Sequence, residues 1–215
     1  MPPHTLQASK PRKTPIQSRS RVTVDAIFEA TIQVLLSEGL ARLTTTRVSE
    51  RAGVSVGTMY QYFPNKEALI IALNQRYLNK VAERIEETCD RMVGQPASQM
   101  VAALIETYWA AKTERADLTK ALYRSVAALD NNTLMQAFAA RVDTATTAMF
   151  AQTSDLPPED AATINLTLTT AIYGTVRNAF ERELDMEQIT ALKARLTDMC
   201  CAWLISVQPK IPVTA

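Results

Sequence analysis

Apolar side chains recur every three to four residues along most of this chain, which is the spacing of one face of an α-helix. The longest stripe consists of Leu69, Leu73, Tyr77, Val81 and Ile85. It follows Pro64, which ends a preceding helix, and Asn65, a residue type that caps helix N-termini. The pattern therefore predicts a long helix from Lys66 to about Met92.

Three shorter helices are predicted before this one. The first runs from Val24 to Glu38, with Thr23 as its N-cap and Gly39 just after its last turn. Thr45 is expected to cap a second helix that ends at Ala52, and Ser55 to cap a third helix at residues 56–63. Gly53-Val54 forms the tight turn between the second and third helices.

The remainder of the chain carries the same helical spacing, and we find no Asn-Gly or Asp-Gly hairpin signal. Further helices are predicted at roughly residues 97–114, 117–128, 132–152, 159–183 and 186–206. The fold class expected from the sequence is therefore all-α, with a three-helix head that contains a helix-turn-helix and a C-terminal helical bundle. The predicted divisions are a flexible basic arm at residues 1–20, the head at 21–66 and the body at 67–208.

Charge separates along the chain in the same way. The net charge of +1 combines a front part at +6 (residues 1–80) with a body at −5 (residues 81–215). A basic front indicates a polyanionic partner, although random segregation of surface charge gives an imbalance of the same size. No apolar run reaches the roughly 18 residues that span a bilayer, so we expect no membrane contact and a cytoplasmic location.

The third helix has the residue types of a helix that enters the DNA major groove. Ser55 supplies an N-cap beside backbone N–H groups that favour phosphate, and Gly57 lets the helix backbone approach a base or phosphate closely. Thr58 offers a hydroxyl and a methyl group to base edges. Tyr60 and Tyr62 are able to donate to phosphates, as is Lys66. The alternative is an ordinary polar surface, since short helix pairs are common.

The run TTTRVSERAGVSVGTMYQYFPNKEAL, from Thr44 to Leu69, closely resembles the DNA-binding signature of the TetR family of bacterial transcription regulators. The likeness extends over roughly residues 21–75. Met59 and Ser49 are small departures, since leucine and alanine are usual there. The resemblance implies a homodimer whose heads bind a palindromic operator in double-stranded DNA, in the nucleoid. It also implies that most members repress, and that ligand binding in the body releases the DNA.

The resemblance also assigns roles to residues of the head. It places Thr45, Thr46 and Arg47 near the DNA backbone. Val56, Gly57, Thr58 and Tyr62 are expected to face bases, and Tyr60 and Lys66 to hold phosphates. Basic residues of the long N-terminal arm would reach the minor groove, as homeodomain arms do; solvated disorder is the alternative.

The body is too divergent in this family for the resemblance to assign ligand residues. Aromatic, methionine and hydroxyl side chains within its central helices are candidates for an apolar pocket, and plain core packing is the competing interpretation. The candidates are Tyr108, Trp109, Tyr123, Met135, Phe138, Met149, Phe150, Thr169, Tyr173 and Arg177. A small, largely apolar or aromatic effector is expected, with Arg124, Arg177 or Asn178 at its polar end.

The last two predicted helices are apolar on two sides, so each needs two packing partners. We expect one partner to be the subunit's own core and the other a second subunit, with deep burial in one body as the alternative. The predicted interface residues are Ile172, Val176, Leu192, Leu196, Met199 and Trp203.

The sequence argues against an enzyme. His4 is the chain's single histidine, and we find no metal-ligand spacing, nucleophile–base pair or phosphate loop; no metal or cofactor is expected. Cys89, Cys200 and Cys201 are expected to be small buried hydrophobes. Two alternatives to a small effector stay open, namely control by a protein partner and control by thiol oxidation. A helical adaptor with a vestigial head is a third possible function.

Overall fold

The computed structural model describes residues 15–128 and 132–208, and within these ranges we find helices and no strand. The α-helices are α1 (Pro15–Glu38), α2 (Thr45–Ala52), α3 (Val56–Tyr62), α4 (Lys66–Met92), α5 (Ala97–Thr113), α6 (Ala116–Ala128), α7 (Asn132–Phe150), α8 (Ala161–Glu181) and α9 (Met186–Val207). The chain forms two compact units that meet in sequence between Leu69 and Ile70. The prediction of an all-α fold is confirmed.

The start of α1 differs from the prediction. The helix begins at Pro15, because a proline is well suited to a first helical turn, where its missing N–H has no partner to lose. Thr23 consequently lies inside α1 and is not an N-cap. Residues 15–20, which we assigned to a flexible arm, are helical, and residues 1–14 lie outside the described part of the chain.

The cap of α2 is one residue earlier than predicted. Thr44 is extended, with φ −132°, and its hydroxyl accepts a hydrogen bond from the Arg47 N–H at 3.2 Å. Thr45 is therefore the first helical residue. The other two predicted caps are confirmed, because Ser55 accepts from the Thr58 N–H at 3.0 Å and Asn65 accepts from the Ala68 N–H at 2.7 Å.

The helices of the head are held by one small apolar core in which α1 packs on α2 and α2 on α3. Its buried side chains are Ile27, Phe28, Val34, Leu35, Leu43, Val48, Met59 and Phe63. The rings of Phe28 and Phe63 lie 5.5 Å apart between centroids. This core fixes α3 from one side only and leaves its opposite side free.

Gly53 makes the turn between α2 and α3. Its φ of 67° lies in the left-handed region, which glycine adopts without the Cβ strain of other residues. In that conformation the Gly53 N–H donates to the Glu50 carbonyl and the Val54 N–H to the Ser49 carbonyl. The turn thereby satisfies the last carbonyls of α2 and sets the direction of α3.

The body is a helical bundle in which α5 packs on α9, α7 packs on α8, and α6 lies against α5 and α8. Its core is a single cluster of buried apolar side chains from α4, α5, α7, α8 and α9, against which α6 packs with Ala116 and Tyr123. The described parts of the chain contain no helix that is long and apolar enough to cross a membrane.

Three side chains that we assigned to a subunit interface belong to this core. Ile172, Val176 and Leu196 are 2%, 0% and 3% exposed within one protomer, so a second subunit has no access to them. On α8 the two residues that we assigned to the interface lie on the stripe that the bundle buries, whereas on α9 only Leu196 of the assigned residues is buried. Leu192 and Trp203 are partly buried against the core.

The outward apolar surface of α8 and α9 is made by other side chains. Leu166 is 65% exposed, Met199 56% and Ile205 63%. Met199 is thus the one exposed residue of the predicted interface set, whereas Leu166 and Ile205 were not predicted.

Candidate nucleic-acid interface and ligand cleft

The outer side of α3 is exposed, and the opposite side of the helix is packed into the core of the head. Met59 is fully buried in the head core, which fixes the rotation of the helix about its axis. Val56 and Tyr60 are 40% and 51% exposed, and Gly57 is exposed beside them. The outer side of α3 is therefore a small apolar and aromatic surface that no other described part of the head covers.

Gly57 is not required by the fold. A Cβ at this position would meet only the Ser55 Oγ, at an ordinary 3.7 Å. Glycine inside a helix costs about 1 kcal/mol relative to alanine, so packing within the chain does not account for the residue. A bare Cα at this exposed position leaves the helix backbone open to close approach by another molecule.

The hydroxyl of Thr58 is already engaged. Its Oγ1 lies 2.8 Å from the Ser55 Oγ, and the same Ser55 oxygen caps the helix. The pair holds Thr58 in one orientation at the first turn of α3.

Thr45 and Tyr60 connect α2 with α3. The Thr45 hydroxyl donates to the Tyr60 hydroxyl at 3.4 Å, and Thr45 is only 9% exposed. Its side chain therefore positions Tyr60 and is poorly placed to touch DNA itself. Thr46 is exposed next to it, and the first N–H groups of a helix point outward from its N-terminus.

Arg47 is committed to a contact within the head. Its guanidinium forms an ion pair with Glu38 and donates to the Arg42 carbonyl at 3.1 Å. The side chain is 42% exposed, so a phosphate would have to share or displace Glu38.

Tyr62 and Lys66 are partly buried at the end of α3 and the start of α4. Gln61 is exposed one turn after Gly57 and was missed by the sequence analysis. The spacing in the sequence could have indicated Gln61, because it is four residues after Gly57 and residues four apart share one helix face. Its amide has the donor and acceptor pair that recognises adenine.

Replacing Lys66 with alanine is expected to weaken operator binding uniformly across DNA sequences and to lower the salt slope by about one unit. The reason is that a phosphate contact releases about one counterion. Fluorescence anisotropy across a salt series measures both effects. Lys80→Ala, an exposed lysine on the same helix, is the matched control, and equal slopes for the two variants would remove Lys66 from the phosphate contacts.

The structure brings together only some of the predicted ligand residues. Six of them are buried in the core of the body, namely Tyr108, Trp109, Phe138, Met149, Phe150 and Thr169. The Thr169 hydroxyl is used within α8, where it donates to the Asn165 carbonyl at 2.8 Å. Tyr108 and Phe138 both pack on Tyr173, with ring centroids 4.7 and 6.3 Å away. Met135 is partly buried against the same core.

A cleft of about 290 Å³ opens between α6 and α8. It is lined by Lys120, Tyr123, Arg124, Arg177, Phe180, Glu181 and Glu183. Tyr123 and Arg177 are thus the two predicted ligand residues on its wall, and Arg124, which we expected at a polar end, is there as well. Its arginines are ion-paired at 2.7 Å, Arg124 with Glu183 and Arg177 with Glu181.

Lys112 is a second residue that the sequence analysis missed. It is 1% exposed, on the buried side of α5. Its position continues the stripe formed by Val101, Leu104, Ile105 and Tyr108. A search for apolar periodicity passes over a lysine, although one at an apolar position of a stripe is an unusual polar group in a core.

The thiols do not have the properties of a redox sensor. Burial raises the pKa of Cys89 and of Cys200 to about 11, and the pKa of Cys201 is raised for the same reason. The thiolate is the reactive form, so these groups are poor nucleophiles near neutral pH. The described residues contain no group of three or more potential metal ligands.

Sequence comparison covers both units. Residues 27–73 match the family model described as "Bacterial regulatory proteins, tetR family", and residues 96–204 match "Tetracyclin repressor-like, C-terminal domain". The chain is 34% identical over 61 residues to the fatty acid metabolism regulator protein of Bacillus subtilis, covering 28% of this chain and 31% of that protein. It is 37% identical over 65 residues to the transcriptional repressor KstR of Mycolicibacterium smegmatis, covering 30% of each. The chain thus aligns with about a third of the length of these relatives.

Solved structures share the fold over most of the chain. A regulator from Mesorhizobium loti superimposes with a TM-score of 0.71 at 17% identity, covering 89% of this chain and 99% of that one. The FadR regulator of Bacillus subtilis, in complex with stearoyl-CoA, gives 0.64 at 18% identity, covering 83% and 97%. The family models and the curated relatives describe transcription regulators, in line with the prediction that the chain is not an enzyme. The matches to both units show that the chain belongs to the TetR family of DNA-binding bacterial transcription regulators.

Proposed function

We propose that the protein is a sequence-specific repressor that a small, largely apolar effector releases from its operator. The observation that carries the proposal is the outer side of α3, where Val56, Gly57 and Tyr60 are exposed above the buried Met59. A short helix with a bare Cα on its outer side fits a major groove about 12 Å wide. The relative KstR is named as a repressor, which supports the direction of control.

Within this proposal the head contacts DNA in two ways. Val56, Gly57, Thr58 and Tyr62, together with Gln61, face base edges. A second set holds the backbone, namely Ser55, Tyr60, Lys66, Arg47 and the first N–H groups of α2 at Thr45 and Thr46. Contacts to the backbone position the head, whereas contacts to base edges select the sequence.

A homodimer on a palindromic operator is part of the proposal. The exposed apolar side chains Leu166, Met199 and Ile205 on α8 and α9 offer contacts to a second copy, whose binding would remove their apolar surface from water. A two-fold dimer presents two recognition helices to half-sites about 34–36 Å apart.

The cleft between α6 and α8 is the proposed effector site. Phe180 and Tyr123 give it an apolar wall, with ring centroids 5.9 Å apart, and Arg124 and Arg177 stand at its polar edge. The FadR regulator of Bacillus subtilis binds stearoyl-CoA in its solved complex, a ligand that joins an apolar chain to a charged group. In the cleft of this chain, the apolar body of such a molecule would contact Phe180 and Tyr123, and its polar end would lie near Arg124 and Arg177.

Of the alternatives, thiol control is disfavoured because burial keeps Cys89 and Cys200 protonated. Nothing in the described residues specifically favours a protein partner over a small effector.

The test is binding of the purified protein to DNA that flanks its own gene, followed by fluorescence anisotropy across a salt series, with unrelated DNA of equal length as the control. We expect tight, sequence-selective binding that weakens steeply with salt. Small apolar compounds are then screened for release of the DNA.

No binding even at low salt would contradict the proposal and favour the adaptor function. Specific binding that no small molecule reverses, but that a protein fraction does, would keep the regulator and replace its effector with a protein partner.

A further inference from the structure

Lys112 is among the largest of the fully buried side chains in the described part of the protein. Its ammonium group has no carboxylate within ion-pair distance among the described residues, and burial is the cause that lowers its pKa, to about 7. A buried cation is normally paired with an anion or hydrogen-bonded. Within the described residues Lys112 therefore lacks the anionic partner that a buried cation normally has.

Three tyrosines from three helices surround this ammonium group. The ring centroids of Tyr77 on α4, Tyr108 on α5 and Tyr123 on α6 lie 4.8, 5.3 and 5.3 Å from Lys112 Nζ. We call these four residues the Lys112 cage. Cation–π contacts of this kind stabilise the charged form in part, but they do not satisfy the N–H donors of an ammonium as an anion does.

Other side chains hold the tyrosines of the Lys112 cage in position. The Tyr77 hydroxyl lies 2.7 Å from the Thr119 hydroxyl, which in turn bonds to the Lys112 carbonyl at 2.8 Å. The Tyr108 ring packs on Tyr173, with ring centroids 4.7 Å apart. The rings are thus held in place on two sides of the ammonium group.

Tyr123 belongs both to the cage and to the wall of the 290 Å³ cleft. The ammonium group is therefore next to the cleft, with one aromatic ring as their shared wall. The rest of the lining is the apolar ring of Phe180, Lys120 and two ion pairs, Arg124 with Glu183 and Arg177 with Glu181. An acid that enters the cleft finds an apolar wall, then a buried cation.

We propose that the Lys112 cage binds the carboxylate of a small organic acid whose apolar or aromatic body occupies the cleft beside Tyr123 and Phe180. The inference deepens the proposed function, on which it rests, by naming the chemical class of the effector. The carboxylate takes the place of the missing counter-ion of Lys112, and Tyr123 moves aside to admit it. An uncharged amide of the same shape leaves the ammonium unpaired and binds more weakly.

Binding is then coupled to protonation. The groups that face Nζ are Tyr77, Tyr108 and Tyr123, and burial raises the pKa of each, that of Tyr77 to about 12. Tyr173 on α8, which packs on Tyr108, has its pKa shifted in the same direction. Lys112 alone among them titrates near neutral pH, so an acid takes up close to one proton when it binds above pH 7. Its affinity falls by up to tenfold per pH unit in that range.

The experiment is isothermal titration calorimetry on the full chain without DNA. The probes are octanoate, decanoate, phenylacetate and 4-phenylbutyrate, each paired with its primary amide, at pH 7 and pH 8. Two buffers of different ionisation enthalpy at pH 8 report proton uptake. We expect at least one acid to bind ten times more tightly than its amide, with uptake approaching one proton. Lys112→Met is expected to lose at least tenfold in affinity for that acid, and Lys80→Met, an exposed lysine on α4, to retain it.

The inference is overturned if no acid binds better than its amide, if binding takes up no proton, or if Lys112→Met binds the acid as the unaltered chain does. Proton uptake is measured on the unaltered protein, so it decides the matter even where Lys112→Met fails to fold. The proposed function is tested separately by release of operator DNA. An acid that binds through Lys112 without releasing DNA supports the carboxylate site but contradicts its role as the effector site. Release of DNA by neutral compounds alone supports the ligand-released repressor but contradicts the carboxylate site.

Discussion

Replacing Gly57 with glutamate is expected to reduce operator affinity by at least about 100-fold, or roughly 3 kcal/mol, without unfolding the head. A side chain at this position meets nothing in the protein closer than 3.7 Å, so the fold accepts it. Against DNA the same side chain adds bulk where the backbone must come close and adds a negative charge facing phosphates. Anisotropy on operator DNA and thermal unfolding of the free protein measure the two effects.

Gly57→Ala separates bulk from charge. It is expected to raise the free energy of unfolding of the head by up to about 1 kcal/mol through helix propensity, while operator affinity still falls. Gln33→Glu adds the same charge to an exposed position of α1 and serves as the charge control. Gly57→Glu binding DNA as well as Gln33→Glu would show that α3 does not face the groove through Gly57.

Replacing Lys112 with methionine is expected to raise the free energy of unfolding of the ligand-free body by about 2–4 kcal/mol at pH 7, because a buried charge without a counter-ion is destabilising. The pKa of Lys112 is about 7 in the folded protein, below its ordinary value of 10.5, so the unfolded chain binds more protons between these values. The stability of the unaltered protein therefore rises with pH over that range, by up to about 1.4 kcal/mol per unit. Below pH 7 Lys112 is charged in both the folded and the unfolded chain, so its cost to the free energy of unfolding no longer changes with pH.

The methionine variant has no ionisable group at this position. The difference between its free energy of unfolding and that of the unaltered protein is therefore expected to shrink from pH 7 towards pH 10. Urea unfolding at pH 7, 8 and 9 measures the difference between the two proteins, and the change in an exposed lysine, Lys80→Met, supplies the control. A constant difference across these pH values, or a variant less stable than the original at pH 7, would mean that Lys112 has a partner in the folded chain.

Local chemistry explains which elements the sequence predicted well. The bounds of α4 were predicted as Lys66 to Met92 and found there, because Pro64 and Asn65 mark its start without ambiguity. The start of α1 was predicted less well, because a proline such as Pro15 either interrupts a helix or begins one, and the sequence does not distinguish these cases. Thr44, Thr45 and Thr46 are chemically equivalent as caps, and only the extended backbone of Thr44 distinguishes it.

The body was harder to predict for a different reason. Periodicity shows that a helix has two apolar faces but does not say which face the protomer's own core covers. Ile172 and Met199 look alike in the sequence, yet one is 2% and the other 56% exposed. Lys112 and its three tyrosines come from three different helices, so their proximity depends on tertiary packing that no local pattern reports.

The continuity of α4 has a consequence for how the chain is cut. Lys66 in its first turn and Tyr77 of the Lys112 cage lie on the same unbroken helix, about 16 Å apart along its axis. The boundary between the two compact units falls inside this helix, between Leu69 and Ile70. This boundary therefore lacks the exposed loop that proteases prefer, the accessible linker at which two units are usually separated.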